Sequence, residues 1–134
     1  MNEIKPILRP FFYHDGRGPE LQKAHYTDCG VHIEAVDYFN PDDKHSPEKL
    51  KHLRFNRAQV FMFTPEEVYN GQPSEIDWSE YQNAAIICLG KSEWFRSFDQ
   101  RHLSKCNHFH IMFYDQYLDI ICEKIVAQQG GYKK

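Results

Sequence analysis

The sequence predicts a mainly β domain (β-rich α+β): an antiparallel sheet folded as a sandwich or half-barrel with two short helices. Three observations predict it. Aromatic residues make up 15% of the chain and fall largely in short alternating runs, as side chains on a pleated, half-buried surface do. Short apolar segments recur between clusters that punctuate backbone structure, such as Asp15-Gly16 and Asn70-Gly71. Long helical patterns alternating with strands, the mark of a doubly wound α/β fold, do not occur.

The elements follow in order. Residues 7–13 read as extended, ending at the loop His14-Asp15-Gly16-Arg17-Gly18-Pro19. Residues 31–39 alternate, with Val31, Ile33 and Ala35 on one face and His32 and Glu34 on the other. Residues 50–63 read as one long strand whose alternation slips near Asn56-Arg57, the signature of a bulge. Thr64-Pro65-Glu66-Glu67 has the form of a capping box and predicts a short helix stopped by Asn70-Gly71. Residues 83–89 form an apolar run of strand length. Ser92 is placed to cap a second helix in which Trp94 and Phe98 share a face. Residues 106–114 and 117–126 are strands joined by a connection short enough to make them a hairpin.

A chain of 134 residues suits one domain with one hydrophobic core. The domain is expected over residues 1–127, with a flexible polar tail at 128–134. Cys29, Cys88, Cys106 and Cys122 form no C-x-x-C pair, and two of them lie in apolar runs. With no signal-like segment in the first residues and no long apolar stretch, the expected location is a reducing cytoplasm, away from membranes. The net charge of -3 opposes a dedicated nucleic-acid binder, which needs a basic excess to contact phosphates.

Two groups of residues point to function. The first is Cys106-Asn107-His108-Phe109-His110. On a strand Cys106, His108 and His110 share one face, and thiolate and imidazole are ligands for zinc, copper or nickel. The simpler reading is a pair of histidines on a sheet surface. No ligand motif such as H-E-x-x-H accompanies them, so a transition metal is compatible with the sequence but not required. The second group is acidic: Glu66, Glu67, Glu75, Asp77 and Glu80, with no basic residue between them. Such a patch can meet a basic partner, its charge steering the encounter, or be a solvated helix start and loop.

Two further features carry less. His32 and Glu34 share a strand face and would matter chemically if they met His108 in one cleft. A basic run over 44–57 (Lys44, His45, Lys49, Lys51, His52, Arg54, Arg57, against one Glu48) has the charge to meet an acidic protein surface or an RNA backbone, and equally the form of a solvated edge strand protected by lysines. No phosphate loop, nucleophile elbow or dinucleotide fingerprint is present.

Three stretches carry a resemblance: Phe12-Tyr13-His14-Asp15-Gly16, the run His52-Leu53-Arg54-Phe55-Asn56-Arg57-Ala58-Gln59-Val60-Phe61-Met62-Phe63, and the segments from Ser92-Glu93-Trp94 through His108-Phe109 to 117–123. Together they resemble a group of small, uncharacterised bacterial proteins over most of the chain. Small acidic bacterial proteins of this sort include immunity proteins that neutralise partner toxins. The absent catalytic motifs, the acidic stretch and the aromatic content point to a non-enzymatic interaction domain with a protein partner, and the resemblance implies that it is of the immunity type. The alternatives are a metal- or small-molecule-binding protein, or a small enzyme, using the Cys/His face; a homo-oligomer is compatible with either.

Overall fold

The computed structural model describes residues 5–6, 12, 18–74 and 85–133. It is a sandwich of two antiparallel sheets and does not close into a barrel. Its strands are β1 (Lys5–Pro6), β2 (Glu20–Tyr26), β3 (Ile33–Phe39), β4 (Lys51–Asn56), β5 (Val60–Pro65), β6 (Ile86–Gly90), β7 (Asn107–Met112), β8 (Gln116–Cys122) and β9 (Lys124–Gln129). One sheet has the order β1-β6-β7-β8-β5, the other β2-β3-β4-β9. The helix α1 (Glu93–Arg96) and three-residue 3-10 turns fill connections. No helix among the described residues is long and apolar enough to cross a membrane.

Between the sheets lies the main core: Ile33, Val36, Tyr38, Leu53 and Phe55 from one side, Ile86, Phe109, Ile111, Leu118 and Ile120 from the other. Phe12 is fully buried there, edge-on to Tyr38 and Phe113 at 4.8 and 5.4 Å between ring centres. The rest of the expected 7–13 strand lies outside the described residues.

The long strand expected over 50–63 is two strands in different sheets. At Arg57 the backbone takes φ 54°, a left-handed turn, and the chain passes from β4 to β5. The partner ribbon makes the same crossing at Glu123, between β8 and β9. Pairing continues on both sides of the corner, with Asn56 opposite Lys124 and Val60 opposite Ile121. Two backbone bonds of 2.8 Å, Glu123 N–H to Asn56 O and Gln59 N–H to Ile121 O, close the corner itself. Strands that change sheet at a bend form the corners of a sandwich. A one-residue bulge reads alike in sequence, because both interrupt alternation.

Other differences have local causes. Strand β2 is an edge strand with only partial burial, so its alternation is faint in sequence. In β3 the pairing skips Glu34, as a bulge, so Ile33 joins Val36 and Tyr38 on the core face, while Val31 is exposed. The capping box at 64–67 does not form. Thr64 and Pro65 stay in the β5 ladder opposite Tyr117 and Gln116, and only a 3-10 turn, Glu66–Val68, follows. Ser92 does cap α1, accepting the Phe95 N–H at 3.1 Å, and Trp94 meets Phe98 edge-on at 5.4 Å.

The C-terminal tail is engaged with the second sheet. Gln128 and Gln129 complete β9 opposite His52 and Lys51. Beyond them His52 Nδ1–H donates to Gly130 O at 2.8 Å, and Tyr132 N–H donates to Asp37 Oδ1 at 2.8 Å. The Tyr132 ring meets the edges of His25 and His52.

Candidate functional site

Alternation along β7 and β8 decides which side chains leave the core. Phe109, Ile111, Leu118 and Ile120 point between the sheets. Their neighbours His108, His110 and Asp119 therefore lie on the opposite face of the same sheet. They are nonetheless fully buried, because the segment 69–74 and the start of α1 cover that face.

His110 lies directly across from Asp119 in the ladder, and His108 lies on the diagonal. Asp119 Oδ1 accepts from His108 Nε2–H at 2.8 Å and from His110 Nδ1–H at 3.0 Å. Ser74 Oγ–H donates to the same oxygen and sits 2.9 Å from His108 Nε2. On the far side of the ring, Ser92 Oγ–H donates to His108 Nδ1 at 2.7 Å while accepting the Phe95 N–H. This pattern is met by a neutral His108 carrying its proton on Nε2.

Burial holds His108 below the usual imidazole range, with the bond to Asp119 opposing the shift. Burial pushes Asp119 the other way, but the bonds from His108, His110 and Ser74 outweigh it and bring its carboxyl down to about 2. Three donors on Oδ1 offset much of the cost of burying this carboxylate, while its other oxygen, Oδ2, is buried with no hydrogen-bond partner among the described residues.

Aromatic rings seal the network. Tyr69 packs on Tyr117 and His110, with ring centres at 4.3 and 5.8 Å, and its hydroxyl donates to Ser74 O. Trp94 lies against His108 at 4.7 Å. The network therefore joins three separate pieces of chain: the 69–74 segment, the helix cap at Ser92 and the β7–β8 hairpin.

The histidines expected on a surface are thus interior. Cys106, expected beside them, precedes β7 and packs with Phe95, Leu103 and Ile121. Burial raises its thiol pKa, and the nearby Arg57 and Lys91 pull against this. Among the described residues no group of three or more His, Cys, Asp or Glu side chains could hold a metal ion. His32 precedes β3 and Glu34 lies in it, in the other sheet from the one that carries His108. As a catalytic relay the network is poorly formed. Ser74 and Asp119 crowd the same nitrogen of His108, and the imidazole and carboxylate have no exposure.

Sequence reasoning missed Asp119 and Ser74. A lone carboxylate inside the apolar run Tyr117-Leu118-Asp119-Ile120-Ile121 was the available signal, since a charge there must be paired.

The acidic residues are placed differently. Glu66 and Glu67 are exposed on the turn after β5. With Pro65, Asp115 and Gln116 they line a cavity of about 570 Å³, so Asp115, from the β7–β8 turn, joins them. Glu66 N–H donates to Asp115 O at 3.0 Å, fixing the two walls together. Glu75, Asp77 and Glu80 lie outside the described residues. A second cavity, of about 510 Å³, is lined by Gln72, Pro73, Glu93, Trp94 and Ser97. The basic run at 44–57 is divided by β4: His52 is buried, and Lys51 is paired with Asp43 at 2.9 Å.

In comparisons with known proteins, no family model, no curated protein and no solved structure matches the chain.

Proposed function

We propose that this chain is a protein-interaction domain that presents an acidic lip, Glu66, Glu67 and Asp115, to a basic protein partner. The observation that carries the reading is the convergence of three carboxylates from two elements on one open cavity. Charges so placed steer a basic surface and fix its register more than they add raw affinity. The buried His108/His110/Asp119 network then has a structural part, holding the segment that follows the lip against the sheet. In its specific form the partner is a bacterial toxin and the domain an immunity-type inhibitor.

The test is binding to the basic product of a neighbouring gene, measured by titration calorimetry. Glu66→Gln with Glu67→Gln and Asp115→Asn is expected to weaken binding about tenfold or more and to flatten its salt dependence, at an unchanged melting temperature. Undiminished affinity and salt dependence would remove the lip from the interface.

A further inference from the structure

The second cavity offers a more specific contact. Its walls come from the same segment that carries the lip, through Gln72 and Pro73, and from α1, through Glu93, Trp94 and Ser97. At about 510 Å³ it falls in the range of roughly 300–1,000 Å³ that takes a small ligand or a large side chain.

Its chemistry is selective. Trp94 is half-buried and supplies an indole, the aromatic surface on which a cation binds best. Glu93 and Gln72 are exposed and add a carboxylate and an amide. Of the neighbouring cations, Lys91 is engaged elsewhere, over the Phe95 ring at 4.6 Å and on the carbonyl of Cys106, and Arg96 is exposed in the last turn of α1.

The walls are also set in advance. Trp94 packs tilted against His108 at 4.7 Å and edge-on to Phe98 at 5.4 Å between ring centres. Ser74 and Ser92, each adjacent in sequence to a lining residue, meet on opposite nitrogens of His108. A pocket whose rings and walls are already fixed loses little entropy on binding.

We infer that this cavity is the anchor pocket for an arginine side chain of the basic partner, its guanidinium stacked on Trp94 and paired with Glu93. A guanidinium suits the site better than an ammonium, being flat, weakly hydrated and able to meet a carboxylate with two N–H groups. Buried Trp and Arg are the residues that most often dominate interface energy. The inference rests on the reading of a basic partner, but its test does not require that partner.

The experiment is an NMR titration of the whole protein with N-acetyl-arginine-methylamide, using the uncharged citrulline analogue as control. The Trp94 indole signal is identified by its loss in Trp94→Phe. A saturable shift of that signal is expected, with the citrulline analogue at least about fivefold weaker, and Glu93→Gln weakening the arginine probe by a similar factor. Glu93 is exposed, so this variant leaves the fold intact. Equal shifts from both probes, no shift at Trp94, or an undiminished affinity in Glu93→Gln would each overturn the inference. The lip variants Glu66→Gln and Glu67→Gln are expected to leave the probe's affinity unchanged, so a failed lip and a failed pocket give separate results.

Discussion

Asp119 makes the dependence on single atoms plain. One carboxylate oxygen accepts from two imidazoles and a hydroxyl, so removing it strands several buried donors at once. Asp119→Ala is expected to cost about 3–5 kcal/mol, read from the urea midpoint. The effect of pH has a definite sign. Asp119 is brought from the ordinary 3.8 to about 2 on folding, so its contribution is complete above about pH 5 and lost progressively as the pH falls through about 2. Near 1.4 kcal/mol per pH unit, about 2 kcal/mol is at stake. His108 is also held low, so the unfolded chain takes up its proton first as the pH drops below about 6.5. Its share of stability is intact above that pH and erodes below it. Urea melts at pH 7, 5 and 3 are expected to show falling stability, with a shallower fall from pH 7 to 5 in His108→Gln.

At the scale of elements, the β7–β8 hairpin is legible because alternating apolar residues and a short connection both declare it, but the second strand expected over 117–126 ends at Cys122 and the chain passes at Glu123 into β9 of the other sheet. The helix expected from the capping box at 64–67 does not form, because the ladder with Tyr117 and Gln116 keeps Thr64 and Pro65 extended and leaves only the 3-10 turn Glu66–Val68. The site was half legible. His108 and His110 stood out as a pair, but their burial depends on cover from segments 16 or more residues away in sequence. Ser92 serves two elements at once, capping α1 and binding His108. Ser92→Ala is therefore expected to exceed the usual cap loss of about 1 kcal/mol, because it also leaves His108 Nδ1 without its donor. Thermal denaturation of Ser92→Ala beside Asp99→Ala, an exposed cap of a 3-10 turn, separates the two effects.

For the whole molecule, a mainly antiparallel β fold, sandwich or half-barrel, is readable from composition and turn spacing, whereas the sheet to which each strand belongs is not. That assignment turns on backbone geometry at Arg57, and nothing in an arginine side chain announces a positive φ. Glycine adopts this geometry at no steric cost. Arg57→Gly is expected to be neutral or stabilising by up to about 1 kcal/mol in spite of losing an exposed ion pair with Glu123, and Arg57→Val destabilising, both measured by chemical denaturation.

The double crossing at Arg57 and Glu123 has a consequence for how the molecule comes apart. Each sheet takes an edge from the same bent ribbon, so neither can detach as a unit while the other stays whole. Slow amide exchange at Leu53 in one sheet and Ile120 in the other is expected to report a single opening event, with equal free energies and equal response to denaturant. The corner thus acts as a cooperative seam, making two layers one folding unit.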